Sequence, residues 1–347
     1  MSAAPRKGFL LFVLSSILSC SVFVSFACTR VLVADNNNAV MVGRSMDWNE
    51  DMATNLLVYP KNIKRSGCDP DSSSRTNWIS WVSQYGSIVA TGYEDFTTDG
   101  FNEMGLAAHV LWLDETDYGT RDESKPSLSI TQWMQYYLDN FKNVNDAVQY
   151  TQKHPIQITP YFHPATQQWG KLHLVLDDAS GDSAIFEYIN GSLKIYHNRD
   201  YTTVTNDPTY DKQLQKITQY KVFGGTRPLP GSTNSPHRFV RAHFYTKVLP
   251  ELKSTNMELA GILGILNNVA YPYSAKNTSL TIWRTVADLT HRIYYFQSTE
   301  NQNLISVHLD YFDLNQKAIK KLDLVNHPEY VGEMSDKFET MDLPLNS

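Results

Sequence analysis

Apolar positions alternate with polar ones in short runs at both ends of the chain, and helical spacing is confined to its middle. Strands are predicted over 30–34 and 39–44, joined by the turn Asp35-Asn36-Asn37-Asn38. That hairpin carries Arg44-Ser45-Met46-Asp47 back toward residue 28. A strand at 56–60 precedes a polar surface loop over 61–75, rich in Lys, Ser, Asp and Gly. Further strands are expected over 78–82 and 87–91, then a tight turn from Asp99 to Gly105 leading into a strand over 106–112. The spacing predicts helices over 127–141 and 144–152, the second capped by Asn143. Runs at 172–178, 183–188 and 193–196, with turn residues at both corners, read as a three-strand meander. Helical patterns recur over 238–249 and 258–269, and strands over 281–288, 292–298 and 305–310. Strand-rich ends around central helices imply an α+β fold of sheets covered by helices, not alternating parallel units. No repeat, low-complexity tract or linker divides it.

One apolar run breaks this pattern. Residues 9–26 are interrupted only by Ser and Cys, follow Arg6 and Lys7, and precede Ala27, with Ser25 two residues before it. Small residues at the −3 and −1 positions make 1–27 a cleaved export signal, leaving residues 28–347 as one domain that is periplasmic or secreted. A looser lipoprotein-type site, Ile17-Leu18-Ser19-Cys20, would place the terminus at Cys20 instead. No later run approaches the ~20 apolar residues of a membrane span, so no stable membrane insertion is expected after cleavage. Without the leader's two cations, 28 Lys and Arg face 36 Asp and Glu, a net charge of −8. Nothing there suggests a nucleic-acid partner. Only Cys28 and Cys68 follow the leader, which excludes a disulfide framework and allows one bridge at most.

Cleavage after Ala27 would give Cys28 a thiol and a free α-amine on one residue. An unperturbed α-amine has a pKa of roughly 8, suited to accepting the thiol proton. The junction alone equally fits a small buried cysteine. Competing chemistries lack their motifs: there is no Gly-x-Ser-x-Gly, His-Glu-x-x-His, phosphate-binding glycine loop or Cys-x-x-Cys. The ten histidines show no metal-ligand spacing, and no cofactor is expected. Tyr85, Tyr93 and Trp81 are read as core residues, with pocket lining as the alternative.

Five separated stretches point one way. Cys28, Gly43-Arg44-Ser45-Met46-Asp47-Trp48, Asn102-Glu103-Met104-Gly105-Leu106, Thr205-Asn206-Asp207-Pro208 and Ser235-Pro236-His237-Arg238-Phe239 together resemble the choloylglycine hydrolase family. Those N-terminal-nucleophile amidases include bile salt hydrolases and penicillin V acylases. The resemblance spans nearly all of 28–347 and implies a four-layer αββα sandwich. It implies Cys28 as nucleophile, Arg44 as the cation beside its sulfur, Asp47 as acceptor for the terminus, and Asn206 as an oxyanion-hole donor. Arg238 would complete the polar network, while Asn102 fits a structural turn. Where bile salt hydrolases carry an oxyanion-hole asparagine, this chain has Trp112, or Leu111 if the alignment shifts by one. An aromatic there resembles the Gram-negative penicillin V acylase branch. The implied partner is a small N-acyl amide: penicillin V-like first, with acyl-homoserine lactones and bile salts as alternatives. Family members are often homotetramers. A non-catalytic exported binding protein of the same fold is the alternative from another class.

Overall fold

The computed structural model describes residues 28–34, 38–69, 77–93, 96–164, 167–272 and 280–341. The expected leader over 1–27 lies outside the described residues, as do 35–37 of the first turn and 70–75 of the expected loop.

Two large sheets lie face to face. The seven-stranded sheet is centred on Thr29–Val33, Met41–Trp48 and Leu280–Asp288, and the nine-stranded sheet on Phe96–Asn102, Leu106–Trp112 and Leu172–Asp178. The central strands pair antiparallel. Three apolar clusters define four layers. Leu32, Val42, Phe101 and Val175 pack between the sheets. Trp133, Leu138 and Val144 of helices Ile130–Asn140 and Val144–Lys153 cover the nine-stranded sheet. Ala242, Ile262 and Leu266 of helices Ser235–Val248 and Thr255–Val269 cover the seven-stranded one. Central strands are buried on both faces, so Leu106–Trp112 is buried throughout although its sequence does not alternate. Gly43 shows how closely the layers approach: a Cβ there would sit 2.3 Å from Ile262 Cγ2.

The αββα sandwich is the expected one, and most element positions agree. Asn143 caps its helix by accepting from the Asp146 amide at 2.8 Å. Three expectations are corrected. Asp99-Gly100 is not a turn but the interior of strand Phe96–Asn102, and the reversal is confined to Glu103-Met104-Gly105. Gly100 has φ +154° with the Ile88 carbonyl pressed where a Cβ would stand, so glycine serves close packing there. The loop over 61–75 contains strand Lys64–Ser66, paired with Ser80–Val82. Helix Ile130–Asn140 starts three residues late, because Ser127–Ser129 pairs as a strand with Gln157–Thr159 and Ser129 caps the helix. Helix Tyr210–Ile217 and strand Thr203–Thr205 were not anticipated. No helix among the described residues is long and apolar enough to cross a membrane.

Candidate active site

The first hairpin builds half of the site. Thr29 pairs with Ser45 and Arg30 with Arg44, so the sequence-predicted return of Arg44 and Asp47 to Cys28 is what the ladder does. On the other side, Thr29 pairs with Thr205. One residue further, that antiparallel register sets Asn206 opposite Cys28. Leu280–Asp288 closes the flank, with Thr281 opposite Asp47.

Cys28 is 3 % exposed, and its sulfur lies 3.6 Å from Arg44 Nη2. The Arg44 guanidinium is itself fixed by two carbonyls: Nη2 donates to Val110 O at 2.6 Å and Nη1 to Thr98 O. Arg238, in the first turn of its helix, ties four partners together. Nη1 donates to Cys28 O at 2.8 Å and to Thr29 Oγ1, and lies 3.6 Å from Asp47 Oδ2. Nη2 donates to Asn206 Oδ1 at 3.4 Å. A guanidinium has no acceptor, so this contact sets which way the Asn206 amide points. Its Nδ2 is left buried with no hydrogen-bond partner. Such orphaned donors are rare in folded proteins and call for a functional account.

Asp47 also accepts from Thr281 Oγ1 and, at 3.5 Å, from Ser45 Oγ. Burial pushes its carboxyl up to about 6, against the opposing pull of Arg238, Thr281, Arg44 and Ser45. The loop bearing Asn206 is held by Gln213, whose Nε2 donates to Asn206 O at 2.7 Å and Pro208 O at 2.6 Å.

A cavity of about 130 Å³ opens over the sulfur, with Trp48, Tyr93, Phe96, Trp112, Tyr161 and His163 in its walls. Trp112 packs against Trp48 with ring centroids 5.8 Å apart, its Nε1 donating to Asp114 Oδ1 at 2.6 Å. Leu111 instead points into the core between the sheets, so Trp112 holds the wall position. Trp48 Nε1 donates to Tyr93 OH at 2.7 Å, and the Tyr93 and His163 rings stand 4.2 Å apart. Larger clefts of about 770 and 240 Å³ lie elsewhere and include none of these polar groups. Cys28 and Cys68 are both free thiols. Among the described residues, no group of three or more His, Cys, Asp or Glu is placed to hold a metal ion.

The sequence-predicted residues Cys28, Arg44, Asp47, Asn206 and Arg238 therefore meet at one point, with Trp112 in the cavity wall. A family model described as linear amide C–N hydrolases, choloylglycine hydrolase family, matches residues 28–322. The chain belongs to the choloylglycine hydrolase family. It is similar to the penicillin V acylase of Pectobacterium atrosepticum, 36% identical over 346 residues, covering 91% of each chain. The solved penicillin V acylase from Agrobacterium tumefaciens is 41% identical and superposes with TM-score 0.81, over 91% of this chain and 98% of that one. A conjugated bile acid hydrolase from Clostridium perfringens shares the fold at 22% identity and TM-score 0.72, over 85% of this chain and 96% of that one. As a choloylglycine hydrolase family member, the chain is a hydrolase of linear amides.

Other site residues escaped the sequence reading. Thr281 lies 234 positions from Asp47 and carried no motif. Gln213 sits on the unanticipated helix. Tyr93 was read as core and lines the cavity instead, whereas Trp81 lies outside it, donating to Asp139 Oδ2 at 2.7 Å. Asn102 is structural as expected: its Nδ2 donates to Leu138 O and Phe141 O, each at 2.8 Å.

Proposed function

We propose that the chain is exported, trimmed after Ala27, and hydrolyses an N-acyl amide through a thioester on Cys28. What carries this reading is a thiol with a buried cation 3.6 Å away and an unpartnered amide donor in the adjacent strand register, beneath an apolar cavity. The α-amine released by cleavage takes the thiol proton. The sulfur attacks the acyl carbonyl, and the oxyanion is met by Asn206 Nδ2. The tetrahedral adduct then collapses, the leaving amine takes the proton, and water hydrolyses the thioester by the reverse sequence. Arg44 stabilises the thiolate. Asp47, linked to Cys28 through Arg238, orients the new terminus and balances its charge.

The acyl group most consistent with the cavity is a single aromatic ring, as in phenoxyacetyl amides. The walls are rings, and the volume of about 130 Å³ is small for a four-ring steroid. A flexible aliphatic acyl chain is the second reading, favoured by Met46, Met52, Ile130 and Leu172 in the same lining. Rates on a phenoxyacetyl amide, a long-chain acyl-homoserine lactone and a glycine-conjugated bile amide separate them. Trp112→Ala is expected to cut kcat/KM for the phenoxyacetyl amide by at least about tenfold, the loss of roughly 1.5–3 kcal/mol of aromatic contact. Equal losses on all three substrates would remove Trp112 from acyl selection. Intact mass of the exported chain tests cleavage: a first residue other than Cys28 overturns the mechanism.

Asp47 adds a pH expectation. Its raised pKa means that the proton is retained up to about pH 6 and the carboxylate exists above it. The α-ammonium formed during attack draws that value down, so the acid limb of kcat/KM is expected at or below pH 6. Asp47→Asn should lower the plateau and abolish this limb. A variant profile keeping the wild-type limb would assign it to another group.

A further inference from the structure

Between the sheets, five ionisable side chains form a line of alternating charge that ends beside Cys28. Arg44, Asp99, His109, Asp177 and Arg30 are each at most 1 % exposed. Arg44 Nη1 lies 3.7 Å from Asp99 Oδ1, the oxygen that hydrogen bonds His109 Nδ1. His109 Nε2 lies 3.6 Å from Asp177 Oδ2, a charge contact too long for a good hydrogen bond, and Arg30 Nε reaches that oxygen at 3.2 Å. Strand register builds the line, since Asp99 pairs with His109 in one sheet and Arg30 with Arg44 in the other. The carbonyls that grip Arg44 belong to Thr98 and Val110, the immediate neighbours of Asp99 and His109.

Asp47 also acts on Arg44, its charge offset by Arg238 3.6 Å away, and the other groups bonded to the line are neutral. Thr285 Oγ1 donates to Asp99 Oδ2 at 2.8 Å and Tyr294 OH donates to the same oxygen, both from the seven-stranded sheet. Arg30 donates to Ser183 Oγ at 2.7 Å and Tyr201 O at 2.9 Å. Burial disfavours every one of these ions, by several kcal/mol each unless paired. For His109 burial acts downward, but Asp99 and Asp177 outweigh it and its pKa stands above the ordinary value. For Asp99 burial acts upward, yet His109 and Arg44 bring it down to about 2. With an imidazolium at 109, the line holds three positive charges and two negative. The surplus cation is what a Cys28 thiolate would neutralise.

We infer that His109 is a positioning residue for Cys28: as an imidazolium it occupies the Asp99 carboxylate, leaving the charge of Arg44 uncompensated for the thiolate and the oxyanion. The inference rests on the reading of Cys28 as nucleophile. Without that imidazolium, Asp99 turns wholly to Arg44 and the line is neutral before the thiol ionises. Thiolate formation then loses its favourable partner.

The test measures iodoacetamide alkylation of Cys28 against pH, alongside hydrolysis, in the processed wild type, His109→Gln and Tyr294→Phe. His109→Gln is expected to raise the alkylation midpoint by about one pH unit and to lower kcat about tenfold, with KM within about twofold. Tyr294→Phe, which takes a neutral donor from Asp99, is expected to shift the midpoint the same way by less. A folded His109→Gln with the wild-type midpoint and turnover overturns the inference. Should that variant not fold, an unchanged midpoint in Tyr294→Phe does so. Wild-type alkylation that leaves hydrolysis intact instead overturns the Cys28 reading beneath it.

Discussion

Cys28→Ser is expected to lower amide turnover by at least about a thousandfold while leaving the fold intact. Thiols and α-amines ordinarily ionise in the same range, so the amine can accept the proton at little cost. A serine hydroxyl lies far above both and would remain protonated. Arg44 Nη2 at 3.6 Å and Met46 Sδ at 3.7 Å are spaced for a large, polarisable sulfur. An oxygen on a shorter bond would sit back from both. The substitution removes little volume from a residue already 3 % exposed, so thermal stability should change little. Steady-state rates on a phenoxyacetyl amide, with an unfolding curve for the same preparation, give the answer. Turnover within tenfold of wild type would rule out the thioester.

Asn206→Ala carries the second large effect. Removing one preorganised oxyanion donor costs ~3 kcal/mol, or 10²–10³ in kcat, because the donor acts where charge develops and not on the resting carbonyl. KM is therefore expected to stay within a few-fold. Stability separates this role from a structural one. Asn206 Nδ2 bonds to nothing in the resting protein, and Oδ1 makes a single 3.4 Å contact with Arg238. Deleting an orphaned buried donor relieves its desolvation cost, so the melting curve should move by no more than about 1 kcal/mol in either direction. A large destabilisation with modest loss of kcat would make Asn206 a structural turn residue. Asn206→Asp distinguishes further: it keeps the contact with Arg238 but sets an acceptor where a donor is required, so activity should not recover.

The site also shows why its polar residues are so deeply buried. Arg44, Asp47, Asn206 and Arg238 are each at most 1 % exposed. In such surroundings each charge is strongly felt by its neighbours and each unmade bond is expensive. Most of the groups are consequently cross-braced, Arg238 to Cys28, Thr29, Asp47 and Asn206, and Gln213 to the 205–208 segment. Arg44 Nε and Asn206 Nδ2 are left without a partner, and of the two the Asn206 amide is the neutral donor set opposite Cys28 by strand register.

Features that depend on near neighbours and on motif order are legible before the chain is folded. The strand–turn–strand pattern over 30–44 already returns Arg44 and Asp47 to Cys28, because a one-residue slip would turn every buried side chain of the pair to the wrong face. Four of the helices and the Asn143 cap were legible from apolar spacing and capping chemistry, as was an α+β class of sheets covered by helices, whereas the four-layer αββα sandwich was implied by the family resemblance. The tertiary structure alone decided what depends on contacts between distant segments. Thr281 on Asp47, the open amide of Asn206, and Trp112 in place of Leu111 at the cavity are set by ladder register between strands far apart in sequence. Asp99-Gly100 reads locally as a turn, yet burial on both faces and pairing with its neighbours hold it in a central strand. His109 was one of ten scattered histidines until two sheets closed over it. Its charge is a property of Asp99 and Asp177, which only packing brings within reach.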